Sequence, residues 1–248
     1  MGTIAGLDMV WWQLLAGVVI AILGGLVRGL TGFGGALVMT LPLALVLGPQ
    51  RAVLTVLLLE TLAALSMMRA ALALASMRVV APIALASWLT VPFGGYLLLS
   101  ADPLLLRRLM AGVVIVFSVL LLKGIRYHGR PRLATSLAVG AASGMLVGAT
   151  SMGGPPAIIY LLSGPDSARV NRANLNLCVG AMSVSGVIVL AIGGIMSVDG
   201  ALGALFLAPC FYAGLVLGVR LFPRLDEQRF RRFTLLLLAT ASAVSLLF

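Results

Sequence analysis

Gly24-Gly25-Leu26-Val27-Arg28-Gly29-Leu30-Thr31-Gly32-Phe33-Gly34-Gly35 is a glycine-dense stretch lying between two apolar runs. It recurs as Gly144-Met145-Leu146-Val147-Gly148-Ala149-Thr150-Ser151-Met152-Gly153-Gly154-Pro155, with Gly25, Gly29, Thr31, Gly34 and Gly35 each matched 119 residues later. A motif repeated in both halves of one chain is the mark of internal duplication. The two copies set the frame for everything around them.

The surrounding sequence is that of a polytopic membrane protein. Of 248 residues, 61% are hydrophobic and 10% charged, and the mean hydropathy is +1.16, outside the range of a soluble domain. The net charge of +10 does not mark a nucleic-acid-binding face, because the basic residues are scattered through short connections between apolar runs. Positive-inside loops account for it, with the lipid bilayer as the surrounding partner. Cys178 and Cys210 stand alone in apolar stretches without CxxC or Cys/His spacing, so neither a metal nor another cofactor is expected. The run from Val10 is read as a first membrane segment. It has no basic leader: Asp8 precedes it, and Arg28 is the first basic residue.

Charges and Gly/Pro clusters divide the chain into ten apolar segments, at about 10–28, 34–47, 52–68, 79–99, 108–123, 133–150, 154–163, 172–195, 200–219 and 233–248. The second and seventh are too short to cross about 30 Å of hydrocarbon and are expected to be half-helices or re-entrant. Alternating the connections puts fourteen basic residues, from Arg28 to Arg232, on one side, against Arg51, Arg107 and Arg108 on the other. That asymmetry makes the first side cytoplasmic and sends both termini outward.

Five segments separate the starts of the two copies, an odd number, so the copies enter the membrane from opposite faces. The expected fold is all-α, one transmembrane domain with an inverted five-plus-five repeat. Repeat 1 covers about 10–123, a basic cytoplasmic linker 123–132, and repeat 2 about 133–248. Inverted repeats with broken helices characterise secondary transporters, whose site lies where the repeats meet.

An interrupted helix is tolerated in hydrocarbon only where it is buried in protein or lines a wet cavity. Pro155 and Pro156 fit a helix's first turn, which places an N-terminus at Gly153-Gly154; Gly34-Gly35 is its counterpart. Helix N-termini offer free N–H donors and a partial positive charge, suited to an oxyanion. The candidate substrate site is therefore Gly29, Thr31, Gly32, Phe33, Gly34 and Gly35 with Gly148, Thr150, Ser151, Met152, Gly153 and Gly154. Close packing is the competing reading, since Gly25/Gly29 and Gly144/Gly148 are literal GxxxG pairs. Arg51 and Arg172 occupy matching places after the short segments and are candidate gates. Arg28 has no symmetric mate, because Val147 holds its place. Asn174, with Asn171 and Asn176, enriches the second copy as ligand or as interhelical glue. Glu60 is the one acid in the middle of a segment, a candidate proton carrier or the partner of an arginine from another segment.

These paired breaks, Gly29-Leu30-Thr31-Gly32-Phe33-Gly34-Gly35 and Gly148-Ala149-Thr150-Ser151-Met152-Gly153-Gly154-Pro155-Pro156, each followed by a short apolar run and a Gly-Pro turn, resemble the TauE/SafE (TSUP) sulfite exporter family. The resemblance runs from about residue 12 to the end. It implies a multi-pass protein of the bacterial inner membrane that exports a small anionic substrate, sulfite or an organosulfonate such as sulfoacetate, coupled to the proton motive force. The residues leave open an importer or channel for another small solute, a membrane-embedded enzyme, an assembly subunit, and assembly as a homo-oligomer. The lone His128 and the lack of a nucleophile–base arrangement weigh against the enzyme.

Overall fold

The structure is a computed structural model that describes residues 11–123, 132–162, 166–196 and 198–221. In that portion the chain is helical throughout: α1 (Trp11–Thr31), α2 (Gly35–Leu47), α3 (Pro49–Leu74), α4 (Met77–Ser100), α5 (Pro103–Leu122), α6 (Leu133–Thr150), α7 (Gly154–Leu161), α8 (Ala168–Ile192) and α9 (Val198–Leu221). Seven of these are long and apolar enough to cross a membrane. The short elements are α2, with 13 residues, and α7, with 8. At 1.5 Å per residue neither spans the hydrocarbon. The tenth expected segment, at 233–248, lies outside the described residues.

Several boundaries differ from the sequence expectation, for identifiable reasons. Helix α5 begins at Pro103, five residues before the expected 108, because Asp102 caps it. The Asp102 carboxylate accepts the Leu104 N–H at 2.7 Å, and Pro103 fills the first helical position. Arg107 and Arg108 therefore lie inside the helix. Helix α3 starts at Pro49 and carries an exposed Arg51 in its first turn. Helix α1 continues through Gly24, Gly25 and Gly29 to Thr31, so the interruption is only Gly32–Gly34. The second break is correspondingly narrow, at Ser151–Gly153.

The helical glycines are explained by what lies against them. A Cβ at Gly25 or Gly29 would fall within 3.0 Å of the Phe211 or Leu215 carbonyl oxygen of α9, and one at Gly218 would meet Leu26 O. The α4–α6 contact is built in the same way. A Cβ at Gly144 or Gly148 would meet the Ser87 or Val91 carbonyl oxygen, and one at Gly94 would meet Met145 O. Small residues let these backbones touch, and the dispersion gained offsets the helix propensity that glycine forfeits. Among the described residues these two interfaces, followed by that of α3 against α8, are the most extensive. Helix α8 also packs on α4, and α9 on α3.

Candidate functional site

At each break the chain leaves a spanning helix through a left-handed residue. Gly32 (φ 78°) ends α1 and Ser151 (φ 60°) ends α6; their amides donate to Arg28 O at 2.9 Å and Val147 O at 2.8 Å. Glycine takes this conformation freely, whereas serine does so at a cost of about 1 kcal/mol, tolerated where surroundings over-determine it. The paired threonines hold the turns. Thr31 Oγ1 lies 2.9 Å from Val27 O, also contacts Phe33 O, and accepts the Phe33 N–H at 3.2 Å. Thr150 Oγ1 donates to Leu146 O at 2.7 Å and accepts the Met152 N–H at 3.3 Å. Thr31 and Thr150 thus close their own breaks, so their hydroxyls are committed to the backbone. Thr31→Val or Thr150→Val is expected to lower stability by about 1 to 2 kcal/mol, through an unpaired buried N–H. Thermal unfolding in detergent checks this; unchanged midpoints with altered ligand binding would instead mark the hydroxyls as ligands.

Between the breaks lies a small, partly open cavity, with about 20 Å³ open to the centre of a water molecule, room for one water. Phe33 and Gly34 of the first break and Ser151, Met152 and Gly153 of the second line it, with Gly154 at the start of α7. Helix α8 closes another side with Val179, Met182 and Ser183, and Arg28 and Glu60 supply the charge. The N-termini of α2 and α7 come together here, as expected, but unequally. Pro155 and Pro156 remove two of α7's first-turn donors, so α2 brings more free N–H groups.

Arg28 is the centre of the site's electrostatics. Its Nε lies 3.0 Å from Glu60 Oε2, with side chains only 1% and 3% exposed. Nη2 donates to Asn176 Oδ1 at 3.0 Å, and Nη1 donates to Gly32 O, so the same guanidinium ties the first break to α3 and α8. Gly35 is required alongside: a Cβ there would lie 2.5 Å from Glu60 Oε1 and 3.2 Å from Arg28 Cβ. The second break is tied back to the first half by one hydroxyl pair, Thr40 Oγ1 and Ser151 Oγ at 2.7 Å.

The remaining sequence candidates lie outside the cavity lining. Gly29 and Gly148 are filled by the backbones of α9 and α4, so packing explains them. Gly32 faces the Arg172 side chain, and Arg172 Nη2 donates to Gly29 O at 2.7 Å, satisfying a carbonyl in the last turn of α1. Arg51 is exposed in α3, so the two arginines read as gates do not meet at the cavity. Asn174 Oδ1 accepts the Ser76 N–H at 2.7 Å and anchors the start of α4. Arg28 and Asn176 were named in the sequence but left out of the candidate site, Arg28 for want of a symmetric mate, while Thr40 and the cavity-lining Ser183 were not singled out. The signal for Arg28 was present: it is a basic residue inside an apolar run in a chain with one mid-segment acid.

Among the described residues, helices alone, seven of them long and apolar enough to cross a membrane, surround a cavity lined by Arg28 and Glu60 between two broken helices, the architecture of a multi-pass membrane protein. Residues 17–246 match the family model for the sulfite exporter TauE/SafE, and the chain belongs to that family. No curated protein and no solved structure matched it.

Proposed function

We propose that this chain is a secondary transporter that exports a small sulfur oxyanion or organosulfonate, such as sulfite or sulfoacetate, across the bacterial inner membrane by alternating access. The observation that carries this reading is the cavity itself: two helix breaks, one from each half of the chain, meet around a buried arginine. Backbone N–H groups at Gly34 to Leu37 and at Gly154, the Ser151 and Ser183 hydroxyls and Arg28 would receive the oxyanion. The cavity has room for about one water, and on this reading an anion enters when the breaks move apart.

An inverted repeat is supported by paired contacts. Leu26 and Gly29 of α1 correspond to Met145 and Gly148 of α6, 119 residues on, while Val91 and Gly94 of α4 correspond to Leu215 and Gly218 of α9, 124 residues on. Each Cβ collision made by one set is repeated by the other, which supports reading α1–α9 and α4–α6 as the same interface with the halves exchanged. The pairs α3–α9 and α4–α8 exchange in the same way, and α3–α8 exchanges with itself. The basic-residue asymmetry favours periplasmic termini. In that orientation an inside-negative potential drives an anion outward by about 2.3 kcal/mol per charge per 100 mV.

Counterflow of labelled sulfite in proteoliposomes, against sulfite, sulfate, sulfoacetate and taurine, tests the proposal. Gly154→Ala is the informative variant. Its Cβ would have only an ordinary contact, 3.6 Å from Ile158 Cδ1, yet would lie in the cavity wall. It is expected to slow counterflow by about tenfold or more, the size of a modest overpacking penalty, with little change in the melting midpoint. If none of the anions exchanges, or if Gly154→Ala exchanges like the parent, the proposed site is wrong.

A further inference from the structure

We infer that the ligand of this cavity is a short zwitterion, an oxyanion and an ammonium group joined by a small apolar spacer, with the oxyanion on Arg28 and the ammonium on Glu60. The inference rests on the oxyanion site proposed above and names the class of molecule that fills it. Its basis is a pair of polar atoms that the fold leaves unsatisfied. Arg28 Nε and Glu60 Oε2 lie 3.0 Å apart, in charge contact, yet among the described residues neither has a hydrogen-bond partner.

The rest of the guanidinium is committed, Nη1 to Gly32 O and Nη2 to Asn176 Oδ1. What remains is one N–H without an acceptor and one carboxylate oxygen without a donor, both buried and both on residues that line the cavity. A buried polar atom left without a partner is costly. The complement of these two is a ligand that brings an acceptor to Arg28 and a donor to Glu60, side by side.

Charge selects the same ligand. Arg28 and Glu60 are the charged residues of the lining, and as a pair they carry no net charge. Val147 and Ala181 stand at their repeat-related places, so no second pair compensates. A simple anion brought to Arg28 leaves two negative charges facing one positive charge. At an effective dielectric of about 20, an unbalanced unit charge about 5 Å away shifts affinity by on the order of 100-fold. A zwitterion turns one ion pair into two and leaves no charge unpaired, which is the condition for placing charge in a buried site. The N-termini of α2 and α7 favour the anionic pole at the breaks, and this fixes the ligand's orientation. Phe33, Met152, Val179 and Met182 supply an apolar lining for the spacer. Carried in this form the substrate moves no net charge of its own, in contrast to a simple anion.

Calorimetric titration of the purified protein at neutral pH with taurine, isethionate and ethanolamine separates the two poles. Isethionate has a hydroxyl in place of taurine's ammonium, and ethanolamine has a hydroxyl in place of its sulfonate. Taurine is expected to bind about tenfold or more tighter than isethionate, and ethanolamine more weakly than either. In E60Q the preference for taurine over isethionate is expected to disappear, because the ammonium loses its carboxylate and the lone anion is no longer opposed by one. Isethionate that matches or exceeds taurine in the parent overturns the zwitterion and leaves the anion site standing. Ethanolamine that matches taurine overturns the role given to the oxyanion. A preference for taurine that persists in folded E60Q overturns the assignment of the ammonium to Glu60. A parent that binds none of taurine, isethionate, sulfoacetate and sulfite overturns the anion site and this inference together. The parent titrations decide the class of ligand whether or not E60Q folds.

Discussion

Arg28→Met alone is expected to destabilise the folded protein by about 3 to 5 kcal/mol, because it leaves the Glu60 carboxylate buried without its cation. The penalty falls on three elements at once, since Arg28 also holds Gly32 O of the first break and Asn176 of α8. Adding Glu60→Gln removes the stranded charge, and the double variant is expected to recover most of the loss. Replacing a whole buried ion pair is often neutral or stabilising, whereas removing one member is not. Thermal unfolding of the two single variants and the double variant in detergent measures this, as a double-mutant cycle. A single Arg28→Met that melts like the parent would show that the pair does not bear on the fold.

Substitution of Gly25 or Gly148 by valine is expected to have an effect of similar size by a different route. At Gly25 the added Cβ would meet the Phe211 carbonyl oxygen, and at Gly148 the Val91 carbonyl oxygen, both within 3.0 Å. Main chain cannot rotate away as a side chain can, so relief requires the helices to separate. A cost of about 1 to 3 kcal/mol at each site is the usual range for overpacking, and contact with backbone places these at its upper end. Both positions face a backbone carbonyl at a similarly short distance and are expected to be equally sensitive. Gly112 in α5 is the control, because nothing lies within 4 Å of its added Cβ. Gly112→Ala is expected to be neutral or to stabilise by about 0.5 to 1 kcal/mol, the helix-propensity difference. Yield and melting midpoint of the folded protein check all three. Equal tolerance at Gly25 and Gly112 would contradict the packing described for α1 and α9.

The membrane class, the two short helices and their starting residues were legible in the sequence. A Gly-Gly step before an apolar run, followed at 155 and 156 by proline, leaves few alternatives to a helix N-terminus, and α2 and α7 begin at Gly35 and Gly154 as expected. The length of the breaks was not legible. Gly25, Gly29, Gly144 and Gly148 carry the same letter as the residues of the interruptions, and only the partner helix distinguishes a glycine that packs from one that ends a helix. Charge used as punctuation misplaced the start of α5, although Asp102-Pro103 is a local cap-and-proline signal that needs no tertiary information.

The centre of the site was obscured by the symmetry that located it. Looking for residues matched between halves favours Arg51 and Arg172, which the fold places outside the cavity lining, and disfavours Arg28, which has no mate. Broken symmetry is nevertheless what a single central charge requires, since two copies of Arg28 and Glu60 would put four charges in a space open to one water. Of the two readings of Glu60, the fold shows the one in which it pairs with an arginine of another segment. Thr31 and Thr150 illustrate the opposite case: chemically suited to an oxyanion, they are occupied by the carbonyl and amide groups that their own breaks expose.

The central claim is that the anion is held between the two breaks by Arg28. Its most direct test is equilibrium binding of labelled sulfite and sulfoacetate to the Arg28→Met/Glu60→Gln double variant, next to the parent and at matched melting midpoints. The expected result is a folded protein in which binding is weakened on the order of 100-fold or lost, the scale of one charge-assisted bidentate contact in a buried site. A folded double variant that binds these anions as tightly as the parent would contradict the claim.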